Sequence, residues 1–366
     1  MQLEISLIQL ITICSVINGF VFAFLLFEKN ENRRANRFLS LTIFSMCLTF
    51  TPFILDISIW NNYQWLSWLP FSLSYWIGPA FYFYIKTLTE GSDAFRKKDF
   101  WHFSPLILNY IHSIYHALVA GTNPWPWFHH IAELLEASAI LSVMIYLIYS
   151  YRLVKAYQRS LLNNISYTER IDLRWVNQFI LMTAGSFILI LIFVIAGMLV
   201  GGKFAPLDWT EPRAFILLIY SGVLYWLSIS GFKQTQTRQV FSIKEEPNEQ
   251  DHGKLSEVIQ KLSSIIESNK LHRNPELSLS DLSEFADISE RVISNAINKE
   301  LGKNFFQFIN EYRVEEMKER LKDPNNDHLK ILSLAFDVGF NSKASFNRVF
   351  KSYTGQTPKD YKSQNR

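Results

Sequence analysis

The chain has 366 residues, of which 49% are hydrophobic, with two cysteines and a formal net charge of +3. Cys14 and Cys47 both lie in apolar runs, which excludes a disulfide framework and a cysteine-based zinc site. Charge is informative only by region: residues 330–366 carry seven Lys/Arg against two Asp/Glu, whereas every Trp precedes residue 232.

Seven apolar runs open the chain: Ile5–Phe27, Phe38–Ile59, Trp65–Leu88, Trp101–Ala120, Ile131–Tyr151, Phe179–Val200 and Ala214–Gly231. Each is comparable in length to a helical membrane span of roughly 17–25 residues. Successive connections between them carry 4, 0, 4, 0, 5 and 2 Lys/Arg. Buried helices of a soluble protein have no reason to alternate in this way, whereas cytoplasmic loops retain positive charge. The pattern puts the N-terminus outside and everything after residue 232 inside. The leader MQLE has no positive charge and no small-residue cleavage site follows, so the first run is expected to be retained.

Ionisable residues in such spans suggest function. Asp56, His112, His116, Glu133 and Glu136 gather toward the outer side, with His129 and His130 in the adjoining loop. His112 and His116 share a helical face and offer a metal-binding spacing. A polar or proton-sensing pocket is a second reading, and interhelical hydrogen bonding is the bland one. Gly78-Pro79 marks a candidate kink in the third run.

Residues 233–253 are polar and mixed in charge and read as a cytoplasmic linker. From Lys254 the periodicity changes to that of soluble amphipathic helices. Leu255, Val258, Ile259, Leu262, Ile265 and Ile266 form one stripe. Ser280 is expected to cap the next helix, with Leu282, Phe285 and Ala286 inward. A turn at 287–289 leads to a helix capped by Ser289 and ended by Gly302. A longer helix, about 305–322, joins this unit (about 280–301) to a second helix, turn and helix at about 329–353.

In this stretch Ile331, Ala335, Gly339-Phe340, Ser342, Phe346, Arg348, Phe350-Lys351, Gly355 and Thr357-Pro358 fall at a characteristic spacing. Residues 254–366 resemble the DNA-binding domain of the AraC family of transcription regulators, and GKNFFQFINEYRVEEMKERL is similar to its linker helix. Asp287 stands where that family usually has a turn glycine, and Met317 where it has a small residue.

The resulting expectation is an all-α chain: a seven-transmembrane-helix domain (1–232), the linker (233–253) and a soluble AraC-like domain with two helix-turn-helix units (254–366). Helical phasing exposes Arg291, Ser294 and Asn295 in the first unit, and Lys343, Ala344, Asn347 and Arg348 in the second. Arg and Asn read guanine and adenine bidentately, while Lys343 and Lys351 suit phosphates. No nucleophile elbow, phosphate loop, kinase or phosphoacceptor motif occurs, so neither an enzyme nor a cofactor is expected. The expected protein is a multi-pass, bacterial inner-membrane, one-component regulator. Its partners would be double-stranded DNA and membrane lipids, with a small ligand or ion and a homodimer as further candidates. The alternatives are a passive anchor whose tail is freed by proteolysis, and a membrane enzyme or transporter with a regulatory tail.

Overall fold

A computed structural model describes residues 7–54, 73–91, 94–119, 127–167, 171–199, 211–234 and 252–365. Among them the regular structure is helical, apart from one isolated antiparallel bridge between Ile165 and Ser278. The chain divides into two compact units that do not follow chain order. One comprises residues 1–155 and 173–239, the other residues 156–172 and 240–366. The expected boundaries run in sequence, so the inclusion of 156–172 with the C-terminal helices is a structural finding.

The first unit contains α1 (Leu7–Glu28), α2 (Arg33–Ile54), α3 (Ser74–Glu90), α4 (Pro105–Val119), most of α5 (Trp127–Asn164), α6 (Arg174–Leu199) and α7 (Glu211–Lys233). Each apolar run overlaps one of these helices. Four of them, α1, α5, α6 and α7, are long and apolar enough to cross a membrane, where the sequence suggests seven. α3 has 17 residues, at the lower end of a crossing, α4 is described over 15 residues up to the edge of the described stretch, and α2 opens on Arg33, Arg34 and Arg37. The facing ends of runs two and three, within 55–72, lie outside the described residues.

Packing in this unit is partly polar. Ser40 Oγ donates to the Ala23 carbonyl (2.6 Å), and Tyr75 donates to Leu135 O (2.8 Å). Lys29 Nζ donates to Phe232 O (2.8 Å) and Gln234 O (3.2 Å), satisfying carbonyls that the end of α7 leaves open. At the expected kink, α3 is helical through both Gly78 and Pro79. A Cβ on Gly78 would stand 3.1 Å from Val143 Cα, so the glycine serves a close helix crossing.

The second unit is built on a helix with two buried sides. It contains α8 (His252–Asn269), a 3-10 turn (Leu271–Arg273), α9 (Leu279–Ala286), α10 (Glu290–Leu301), α11 (Phe305–Lys322), α12 (Ile331–Asp337), α13 (Lys343–Thr354) and α14 (Pro358–Gln364). Phe305, Phe308 and Ile309 enter a core with Leu262, Ile266, Leu282, Ile293 and Ile297. Val314, Met317 and Leu321 enter a second core with Leu334, Val338, Phe346, Val349 and Phe350. At 3.6 residues per turn the two triplets lie roughly 160° apart around α11. The two helix-turn-helix units therefore hang on opposite sides of one helix.

Local chemistry sets the helix ends. Ser278, not the expected Ser280, caps α9 through a capping box with Asp281. Ser289, Asn304, Ser342 and Thr357 cap α10, α11, α13 and α14. Asp287 takes the left-handed conformation (φ 51°) in the first turn. Phe285, expected inward, is 60% exposed. Leu282 and Ala286 are buried as expected, and Leu279, which the earlier start brings into the helix, is the third buried residue.

Gly339 occupies the turn of the second unit at φ +100°, where a Cβ would collide with the His272 carbonyl and stand 2.9 Å from Arg273 Cα. Gly302 is also left-handed (φ +63°), but its Cβ would meet open space. Gly339→Ala is therefore expected to destabilise the C-terminal unit by about 2–4 kcal/mol, against about 1 kcal/mol for Gly302→Ala. Urea unfolding of the two variants measures the difference.

Candidate nucleic-acid interface

The second unit presents α13 with Phe346, Val349 and Phe350 buried and Lys343, Ala344, Asn347, Arg348 and Lys351 exposed. Ser342 starts the helix by accepting from Ser345 N–H (3.1 Å), which places residues 343–348 in its first two turns. The face is therefore set by the core opposite it: fixing three apolar side chains inward leaves these five outward.

In the first unit α10 buries Ile293, Ala296 and Ile297. Arg291 is exposed, while Ser294 and Asn295 are only half-buried. Ser294 Oγ also accepts from Asn298 Nδ2 (3.3 Å). Ser294 follows Ile293 and lies at the edge of the buried stripe, whereas Asn295 lies roughly 150° from the centre of that stripe, on the side of Arg291.

Some cations of this domain are ion-paired within the fold and others, those of α13 among them, are not. Arg273, Arg320, Lys303, Lys318 and Lys362 have carboxylate partners at 2.6–3.2 Å. Lys343, Arg348 and Lys351 have no ion-pair partner among the described residues. Three positive side chains on one exposed helix face are thus left for a partner outside the fold.

α11 carries the internal polar network. Arg313 is 1% exposed, and burial pushes its guanidinium down to about 9, which still leaves it charged at neutral pH. Glu316 accepts from His272 Nε2 (2.6 Å), Arg273 Nη2 (2.7 Å) and Arg320 Nε (2.8 Å). Desolvation opposes its ionisation, but those hydrogen bonds outweigh it and hold the carboxyl at about 2. Sequence reasoning missed this pair. Neither Arg313 nor Glu316 is singled out by local pattern, and the packing of the 271–274 turn against α11 reveals their role.

The proposed polar cluster of the N-terminal helical unit is largely beyond description. Asp56 lies outside the described residues. His112 and His116 fall on α4, and His129, His130 and Glu133 on α5, with their side chains outside what is described. Glu136 is exposed. No group of three metal-ligating side chains occurs among the described residues. The N-terminal helical unit encloses a mostly apolar cavity of about 250 Å³, lined by residues that include Phe81, Phe179, Thr183 and Tyr220.

Comparison with known proteins places the C-terminal geometry. Residues 282–364 match the family described as helix-turn-helix domain. A protein of Staphylococcus aureus strain COL, named as an uncharacterized HTH-type transcriptional regulator, is 38% identical over 102 residues. That alignment covers 28% of this chain and 13% of the relative. The XylDLEGF operon transcriptional activator 1 of Pseudomonas putida is 27% identical over 141 residues, 38% of each chain. The chain therefore spans only a minor part of these relatives. No solved structure matches it significantly.

Because the Glu316 carboxyl is depressed relative to its ordinary value near 4.5, its contribution to stability is complete above that pH. It is lost as pH falls toward about 2. The gap in urea midpoint between wild type and Glu316→Gln, followed by ellipticity, is expected to narrow across that window. The kinship of the C-terminal region is with transcriptional regulators and not with enzymes, and residues 282–364 are an AraC-type helix-turn-helix domain.

Proposed function

We propose that the chain is a membrane-bound one-component transcription regulator that reads promoter DNA through both helix-turn-helix units under control of its N-terminal helices. The observation that carries the DNA reading is the α13 face, where Lys343, Asn347, Arg348 and Lys351 are exposed and the cations have no internal ion pair. Arg348 and Asn347 are assigned to base edges, and Lys343 and Lys351 to phosphates, with Ala344 allowing close approach. In the first unit Arg291, Ser294 and Asn295 take the corresponding place. α11 has 18 residues. At 1.5 Å each it is roughly 27 Å long, a length that suits two major-groove segments roughly 34 Å apart. The Pseudomonas relative is an activator by name, and activation is the corresponding proposal here.

Membrane residence is supported by the seven apolar runs, by four helices of sufficient length and apolarity, and by the alternation of loop charge. It is supported further by exposed apolar side chains such as Ile107, Leu108, Leu141, Ile148, Leu189 and Ile192, which a water-facing surface does not favour. We assign seven spans, the N-terminus outside and the DNA-binding domain in the cytoplasm. Sensing is assigned to the membrane domain, with the Asp56, His112, His116, His129, His130, Glu133 and Glu136 cluster as its polar candidate.

Selection of random duplexes by the full chain in lipid nanodiscs is expected to return a two-part sequence. Arg348→Ala should then lose about 1–3 kcal/mol of discrimination at one base position. Wild type without sequence preference, or Arg348→Ala equal to wild type, overturns the reading. Reporter fusions test the topology: a cytoplasm-active reporter is expected to work after residue 232 and after residue 160, and a periplasm-active one after residue 123.

A further inference from the structure

The Arg313 guanidinium has five N–H donors, and all five have acceptors. Nε donates to His272 O (2.7 Å), Nη1 to Ser166 O (3.0 Å) and Asn310 Oδ1 (3.3 Å), and Nη2 to Ser166 Oγ (2.9 Å) and Asn274 O (2.7 Å). Every acceptor is neutral, so the buried charge depends on the hydrogen bonds being complete. Two of the five end on Ser166. That residue lies 88 positions upstream of Lys254, just after α5, in the segment 156–172 that belongs to the C-terminal unit.

The rest of Ser166 is equally engaged. Its N–H and its Oγ–H both donate to Leu277 O (3.1 and 2.7 Å), and its carbonyl also accepts from Asn310 Nδ2 (3.2 Å). Ile165 beside it is 2% exposed and bridges Ser278. We propose that the connection following α5 is a docking element of the DNA-binding unit, through which α5 controls how the two recognition helices are held relative to each other. This rests on the DNA-reading function proposed above and names its point of regulation.

The position of the contact supports that role. Ser278 caps α9, the first helix of the first unit. His272 O, which accepts from Arg313, is also the atom that Gly339 approaches in the turn of the second unit. Arg313 itself lies between the two buried sides of α11. Withdrawing Ser166 would leave two donors of a buried cation unpaired where both helix-turn-helix units meet their common helix. The alternative, that 165–167 is an incidental loop contact, does not account for a serine whose N–H, hydroxyl and carbonyl all end on the DNA-binding domain. α5 is one uninterrupted helix from Trp127 to Asn164, so a change along it reaches Ser166 without an intervening loop.

The test uses the full chain in nanodiscs, with Ser166→Ala, which keeps the backbone, and Ser166→Pro, which also removes the N–H. Hydrogen exchange reads docking without DNA, and exchange in peptides 161–167 and 271–282 is expected to rise in both variants. Affinity for the selected two-part duplex is expected to fall about tenfold, the equivalent of 1.4 kcal/mol, in Ser166→Pro. Affinity for a duplex carrying only the second unit's half should change less than twofold, and the base preference read by Arg348 should persist. Exchange equal to wild type in both variants overturns the docking. Faster exchange with an unchanged ratio between the two duplexes overturns the control and leaves a purely structural contact. Loss of sequence preference in wild type overturns the DNA-reading function itself, while exchange still decides the docking.

Discussion

A buried guanidinium with only neutral partners is the constraint on which the C-terminal unit depends. Removing a charge from water is unfavourable unless every donor finds an acceptor. Arg313 meets this condition by drawing together the 271–274 turn, Asn310 and Ser166. The same turn carries His272 and Arg273 to Glu316 and receives Gly339 from the second unit. Substitutions at these positions are therefore coupled and should not be additive. α11 thus does more than join two recognition motifs; it holds an apolar core on each of two sides and a polar network between them.

That division of labour separates structural from functional charge. Arg273, Glu316 and Arg320 are turned inward or paired, and their chemistry stabilises the fold. Lys343, Arg348 and Lys351 stand exposed on α13 without ion pairs among the described residues and give that helix an outward positive face. Net charge alone would not make this distinction, since the whole chain carries only +3. The location of each cation relative to a buried core decides whether it is structural or free for a phosphate or a base.

The N-terminal unit follows a different rule. Its helices leave large apolar side chains exposed along α1, α4, α5 and α6, which in water would favour aggregation. Its interior combines aromatic packing with side chain to backbone hydrogen bonds such as Ser40 to Ala23 and Tyr75 to Leu135. Lys29, on the connection after α1, closes the end of α7.

Much of this was legible in the sequence because local periodicity and capping chemistry act over a few residues. The bounds of α11, the caps at Ser289 and Ser342, the left-handed Gly302 and the inward Phe346, Val349 and Phe350 all follow from short-range pattern. The same reasoning failed where two local solutions compete. Ser278 and Ser280 both precede an apolar stripe, but only Ser278 has its carboxylate three residues on, and of the expected inward residues Phe285 is the one left exposed. What the sequence by itself determined was the class of each segment: apolar helices first, then a paired helix-turn-helix region. Only the tertiary structure decided which charges are internal and that Ser166 belongs with residues more than a hundred positions away. Arg313 has no partner within helical reach that could satisfy all its donors, and burial in a folded unit was needed to select them.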